Sequence, residues 1–370
     1  MQTQLRLLHT WQAELDRLLP DIRATRRHGF AVLVAGLLWA GTVSLPRIAE
    51  SLVPLGAKVP SIERRLRRWL ANPAVEPEAL WRPLLPPLLA RWAGPHPRLV
   101  LDPTDLPGRH RLLVLGLVVR ERVLPVAWRW LPNQHKWEQR LGEIVTALAP
   151  AITAALPPGV VPTVIADAGL SGPRLLGACV AAGWHYVLRL PLNHNSSHQV
   201  RLRDGREGRL WTLVTGPGQH WHGAVDIFKG AGWIPVHLTI HWDVRHKRPW
   251  ILIADTPGGR AAVATYRRRS HTEATFQDTK SRIWHLPVSK LTVPARLARL
   301  VVAVVQAMWW AATLALTAIR RGTYRHYDRG DRHDLGLCRL GRLLFACRAL
   351  TPHLPTSPFR LSSATQTVRE

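Results

Sequence analysis

Two short apolar runs in this chain each stop at an aspartate: Arg98-Leu-Val-Leu-Asp102 and Val161-Pro-Thr-Val-Ile-Ala-Asp167. Runs of this length and composition read as strands. Leu112 to Val119 and Val123 to Leu131 read as two more, with Arg120-Glu121-Arg122 at the turn between them. Gln134 to Leu156 has the pattern of a helix ended by Pro157-Pro158-Gly159. Pro173 to Ala182 reads as a second helix and Trp184 to Leu190 as another strand. Three strands, helix, strand, helix, strand predict an α/β fold built on a mixed sheet. Ligands collect at the carboxyl ends of strands in open sheets of that kind, so Asp102 and Asp167 become candidate site residues. Either one alone also fits an aspartate that caps a turn.

Residues 1–92 read as helical, with an apolar run from Gly29 to Val43 and a short capped helix over Ser44–Leu52 that carries Pro46 in its first turn. In Ser61–Leu70, Ile62, Leu66, Trp69 and Leu70 form an apolar stripe, and Arg64, Arg65, Arg67 and Arg68 lie mainly away from its centre. Helix, short turn, basic helix is the outline of a helix-turn-helix DNA reader; a solvated amphipathic helix in a bundle has the same pattern. Pro73 to Pro97 is a Pro-rich junction. The α/β unit then occupies 98–192 and 257–322. Between its two parts, 193–256 is rich in Gly, His and Trp, and reads as a β-rich insertion with short strands at Leu210–Val214, Ala224–Phe228, Val236–Trp242 and Trp250–Ala254. Residues 323–370 form a basic tail whose last dozen residues read as disordered.

Lys and Arg number 50 against 24 Asp and Glu, a formal net charge of +26. A compact chain with that excess repels itself unless it meets a polyanion, and the arginine fork suits phosphate oxygens. Double-stranded DNA is the leading partner. The cations are spread along the chain instead of clustered at one end, which argues against a membrane surface. Val301 to Ile319 is long and apolar enough to cross a membrane, but a buried core helix accounts for it equally well. The three cysteines, Cys179, Cys338 and Cys347, have neither metal-ligand nor redox spacing, and the N-terminus lacks signal-peptide order. A cytoplasmic, nucleoid-associated protein is expected.

In Tyr266-Arg-Arg-Arg-Ser-His-Thr-Glu-Ala-Thr-Phe-Gln-Asp-Thr-Lys280, the residues Tyr266, Arg269, Glu273 and Lys280 follow one another at steps of three, four and seven. At about 100° per residue, a continuous helix would place all four on one narrow face. A carboxylate can hold a divalent metal, and an Arg and a Lys beside it can hold phosphate. A basic surface helix with one i,i+4 pair is the plainer alternative. With Asp102 and Asp167, Glu273 makes a third acid able to share divalent cations, the donor set for an in-line phosphoryl displacement.

Taken together, these residues resemble bacterial insertion-sequence transposases of the DDE class, in the branch marked by a Tyr-x2-Arg-x3-Glu-x6-Lys signature. Tyr266, Arg269, Glu273 and Lys280 fit every position of it. Leu101-Asp102-Pro-Thr-Asp105 and Ala166-Asp167-Ala-Gly-Leu170 resemble the first- and second-aspartate motifs, in the family's order; Leu170 stands where many relatives have an aromatic residue. The resemblance covers about residues 40 to 320. It implies a ribonuclease-H-like catalytic core interrupted by a β-rich insertion, which accounts for the long separation of Asp167 from Glu273, and an N-terminal helical DNA-binding domain. It implies two Mg²⁺ ions, replaceable by Mn²⁺, held by Asp102, Asp167 and Glu273, with Tyr266, Arg269 and Lys280 gripping DNA phosphates. Trp250 stands where a relative's tryptophan stacks on a flipped base, although a core tryptophan is a natural alternative in a chain with 17. The implied reaction is cleavage at the element's terminal inverted repeats, followed by strand transfer into target DNA by a synaptic dimer.

Three rivals share parts of this pattern. A site-specific endonuclease would use the same acids without needing the Tyr, Arg and Lys at this spacing. A DNA-binding relic of a transposase would have lost activity. A zinc protein could use His194 and His198, or His220 and His222, but the chain has neither cysteine partners nor a His-Glu-x-x-His arrangement.

Overall fold

The computed structural model describes residues 2–90, 96–131, 137–191, 199–329 and 334–347. His194, His198, the expected helix start at Gln134 and the end of the tail lie outside them. The chain opens with helices α1 (Gln2–Leu18), α2 (Ala24–Ala40), α3 (Leu45–Ser51), α4 (Val59–Ala71), α5 (Pro77–Trp81) and α6 (Leu85–Leu89). Strands β1 (Arg98–Leu106), β2 (His110–Val119) and β3 (Arg122–Leu131) follow, then α7 (Leu141–Ala155), β4 (Thr163–Ala166), α8 (Pro173–Ala181) and β5 (His185–Leu190). Five more strands come next: β6 (Gln199–Leu202), β7 (Glu207–Arg209), β8 (His220–Ile227), β9 (Ile234–His241) and β10 (Trp250–Ala254). Helices α9 (Arg260–Arg267), α10 (His271–Gln277), α11 (Pro294–Arg320) and α12 (Leu337–Ala346) complete the order.

All ten strands lie in one sheet, ordered β3-β2-β1-β4-β5-β10-β9-β8-β6-β7. β4 pairs in parallel with β1 and β5, and the other pairings are antiparallel. The strands of 199–254 thus continue the core sheet, with β10 pairing to β5 on one side and β9 on the other. Alternate residues of the strands enter two apolar clusters. Leu99, Leu101, Val164 and Ala166 face the large core, while Val100, Ile165, Val187 and Leu252 face Ala262, Val263 and Tyr266.

The structure differs from the sequence expectation at several elements: helices α5 and α6 lie in the stretch read as a Pro-rich junction, and β6 and β7 form where no strand is expected. β1 does not stop at Asp102: pairing with β2 continues from Asp102↔Val114 to Leu106↔His110, and only the parallel ladder with β4 ends at Leu101↔Ala166. The expected strand at Leu210–Val214 is a 3-10 turn over Leu210–Leu213, braced by the Thr212 hydroxyl donating to the Arg209 carbonyl at 2.7 Å. Finally, the helix expected to carry Tyr266 to Lys280 is segmented. α9 passes through a 3-10 turn at Arg268–Ser270 into α10, which opens into a π-turn at Asp278–Arg282.

The helix expected over Ser61–Leu70 forms as α4, with Ile62, Leu66, Trp69 and Leu70 buried and Arg64, Arg65, Arg67 and Arg68 exposed. Its end is held from afar: buried Arg299 donates to the carbonyls of Leu70 (3.0 Å) and Val75 (2.8 Å). Arg299 belongs to α11, the helix long and apolar enough to span a membrane, whose most apolar stretch is wholly buried inside the protein. Trp310 of α11 packs against Trp11 of α1 (5.1 Å between ring centroids) and Phe345 of α12 (5.0 Å). The N-terminal helices therefore share one apolar core with α11 and α12.

Candidate active site

Strand parity places both aspartates on the same side of the sheet. Val100 and Ile165 point under α9, so Asp102 and Asp167, two residues further along, point to that side too. The parallel ladder runs Val100↔Ile165, Leu101↔Ala166; the next residues outward on the two adjacent chains are the aspartates. α9 and α10 cross this face and bring the remaining groups. The Tyr266 hydroxyl donates to Asp167 Oδ1 at 2.9 Å. Arg269, in the 3-10 turn, reaches three carboxylates: Asp102 Oδ2 at 3.2 Å, Asp167 Oδ2 at 3.3 Å and Glu273 Oε1 at 3.5 Å. Asp167 also accepts the Ala168 N–H at 2.7 Å and an N–H of Arg189 at 3.4 Å.

The two aspartates differ electrostatically. Burial pushes the Asp102 carboxyl above the usual range, and the opposing pull of Arg269 does not cancel it. Burial pushes Asp167 the same way but is outweighed by the Ala168 N–H, Arg269, Tyr266 and Arg189, so its carboxyl lies below the usual range. The Tyr266 phenol is pushed up to about 12 by burial and by the neighbouring Asp167 charge, so it stays a hydrogen-bond donor at neutral pH. Glu273 is mostly exposed.

Of the four signature residues, Tyr266, Arg269 and Glu273 converge on the aspartates. Lys280 does not: it lies in the π-turn, exposed, with its Nζ 5.9 Å from the centre of the Phe276 ring. The turn widens at Asp278, whose carboxylate is buried against Arg122 at 2.6 Å. Trp250 is half-buried, edge-on to Tyr266 at 5.0 Å between ring centroids. It borders a pocket of about 130 Å³ shared with His241, Asp243, His246 and Arg267. Arg189 is a site residue missed by the sequence reading; its signal was an arginine in an apolar strand at the same parity as Val187.

Among the described residues, no three His, Cys, Asp or Glu side chains come together closely enough to hold an ion. Arg269 is the positive charge that the three carboxylates share. The donor chemistry nevertheless fits a hard divalent cation: three carboxylates meet there, and the burial of one of them, Asp102, is not offset by Arg269.

Residues 142–310 match the family described as Transposase DDE domain. The DDE domain match includes Asp167, Tyr266, Arg269, Glu273 and Lys280, whereas Asp102 lies ahead of it. Among solved structures, the chain is similar to piggyBac transposase in the cryo-EM structure of its synaptic complex with hairpin DNA, at 10% identity. That likeness covers 92% of this chain and 78% of that one, with a TM-score of 0.44. No curated protein matches the chain.

Proposed function

We propose that the protein is a transposase of a bacterial insertion sequence, cutting DNA at the element's terminal inverted repeats and joining the freed end to target DNA. The observation that carries this reading is the meeting of Asp102, Asp167 and Glu273 around one guanidinium, in a chain whose residues 142–310 match the DDE domain. The strand order β3-β2-β1-β4-β5, antiparallel in its first three and parallel in the next two, supports a ribonuclease-H-like core. The complete Tyr-x2-Arg-x3-Glu-x6-Lys signature supports the insertion-sequence branch.

Asp102, Asp167 and Glu273 would hold Mg²⁺, or Mn²⁺ in its place. Bound there, the metal would supply Lewis-acid catalysis of phosphoryl transfer. The chain's own residues position the reactants. Tyr266 holds Asp167 in one orientation through its hydroxyl. Arg269, with two faces of its fork on carboxylates, is within reach of a phosphate entering the same space, and Lys280 offers a second cation along the backbone. Water attacks phosphorus at the element's end, the P–O3′ bond breaks, and a 3′-hydroxyl is released. That hydroxyl attacks a phosphorus of target DNA and displaces a 3′-oxygen there, so one phosphodiester is exchanged for another with no protein–DNA covalent bond. Trp250, one ring from Tyr266, suits stacking on a base extruded near the cut, where each stack is worth about 1–3 kcal/mol. Arg64, Arg65, Arg67 and Arg68, exposed on α4, would contact the inverted repeat. Joining two ends requires two sites, hence a dimer on DNA, acting in the nucleoid.

The test is to incubate the protein and Mg²⁺ with a DNA fragment carrying the flanking element's end. Wild type should cut at the end, and Glu273→Gln should bind equally but not cut, an expected loss of at least about 100-fold for one misplaced catalytic contact. Binding without cutting by either protein would indicate a DNA-binding relic. Cutting that survives Glu273→Gln would remove the site assignment.

A further inference from the structure

Beside the acid site, α9 and the β8–β9 pair enclose a cleft of about 780 Å³. Its ionisable lining residues are Arg260, Arg267, His220, His222 and His241; no Asp or Glu lines it. Neither arginine pairs with a carboxylate among the described residues. They stand seven residues apart on one face of α9, roughly 10 Å along its axis, a spacing wide enough for two phosphates of one strand. The cleft has the volume of a small-molecule pocket, too small for a duplex and large enough for a nucleotide or two. Trp221 and the imidazoles supply ring surface for bases. Val263 and Tyr266 of the same helix turn towards the sheet, and Tyr266 reaches Asp167, so one element borders both the cleft and the acids.

The imidazoles are arranged in an unusual way. His220 and His241, opposite each other on β8 and β9, stack with ring centroids 4.6 Å apart and planes 8° from parallel. The Nε2 of His241 is buried without a hydrogen-bond partner. Two rings so close cannot both be charged without an anion beside them. The surroundings of His241 add to this. His220 faces it from β8, Arg267 from α9, the Trp250 ring from β10, and Asp243, Arg245, His246 and Arg248 from the connection after β9. Asp243 is the one acid, and its carboxylate is engaged by Arg245 at 2.9 Å. Arg260 adds a further positive charge to the lining of the cleft. Burial and these cations hold the His241 imidazole below its usual range, hence neutral at pH 7.

We propose that this cleft binds the backbone of a single DNA strand displaced beside the acid site, and that the stacked His220–His241 pair takes up a proton when the phosphodiester enters. The inference rests on the transposase reading and adds to it a second, proton-coupled DNA site. A phosphate supplies the negative charge the pair lacks, so binding raises the imidazole's affinity for a proton and affinity for DNA rises as pH falls.

The test uses the full chain without Mg²⁺ and a fluorescent duplex with a single-stranded flap of arbitrary sequence, read by anisotropy at about pH 6 and about pH 8, either side of the ordinary histidine range. Wild-type affinity should rise on the order of tenfold at the lower pH, with close to one proton taken up per complex in calorimetry across buffers of different ionisation heat. His241→Phe keeps a stacked ring and removes the proton site. It should bind as wild type does at the higher pH and lose most of the gain at the lower one. Arg267→Gln should weaken binding at both and lower the salt dependence by about one counterion. Circular dichroism identifies any variant that fails to fold, and His220→Phe repeats the measurement from the other ring. An undiminished pH effect in both Phe variants overturns the cleft proposal while leaving the transposase reading intact. Absence of DNA binding by wild type at either pH overturns both.

Discussion

Asp102 and Asp167 stand side by side, yet their carboxyls are displaced in opposite directions, and this has measurable consequences. The native state favours the protonated form of Asp102, so its ionised form costs stability above the carboxylate range, and that cost disappears as pH falls through its raised pKa. The native state favours ionised Asp167; the resulting stability is present above the unfolded pKa and is lost as pH falls through the lowered one. In metal-free protein at neutral pH, Asp102→Asn should therefore leave the melting temperature unchanged or raised, while Asp167→Asn lowers it. The deficit of Asp167→Asn should shrink in acid. Thermal unfolding of both variants across pH checks this, and an equal loss in both would mean that the Arg269 contact outweighs burial at Asp102. Tyr266→Phe keeps the ring against Trp250 but deletes one hydrogen bond to Asp167, an expected cost of about 1 kcal/mol in urea unfolding. Asp102 and Asp167 stood out in the sequence because each follows an apolar run, although β1 continues past Asp102. Arg189 did not, since only the pairing of β4 with β5 shows which carboxylate it faces.

The position of Glu273 depends on how α10 is fastened. Its inner face presents Thr272 and Thr275, and Asp278 follows at the start of the π-turn, all three buried. The Thr275 hydroxyl accepts the Val123 N–H at 2.8 Å, and Asp278 accepts from Arg122 in an ion pair almost wholly removed from water. Both anchors lie at the start of β3, so the β2–β3 hairpin sets where the third acid stands. Arg122→Met leaves a buried carboxylate unpaired and should cost about 3–5 kcal/mol, whereas Arg122→Met with Asp278→Leu should recover most of it. Denaturant unfolding of the two variants provides the comparison. The sequence placed Tyr266, Arg269 and Glu273 on one face correctly, because a short 3-10 turn changes their phase little. Lys280 follows in the π-turn that begins at Asp278, the residue paired with Arg122, and no local periodicity reports that turn.

At the scale of the molecule, α11 is the central member. It packs with α1, α2, α4 and α12 and also reaches the sheet, where the Trp309 indole donates to the Pro125 carbonyl at 2.8 Å. Its contact with α12 is so close that a Cβ added to Gly341 would lie 1.7 Å from the Ala311 carbonyl oxygen. Gly341→Ala should therefore force the two helices apart, at a cost at or above the upper end of the roughly 1–3 kcal/mol typical of overpacking, seen as a lowered urea midpoint. The apolar run at Val301–Ile319 was obvious in the sequence. A buried core helix was one reading of it, and the structure bears that out; the partners were not legible, because α1, α2 and α4 lie more than two hundred residues earlier. This arrangement bears on how the protein is made. The ribosome delivers the amino-terminal helices first, but the side chains that complete their core arrive only with α11, after every acid of the site has been synthesised. A chain released before α11 should therefore carry every acid of the site beside an amino-terminal half whose core is still open.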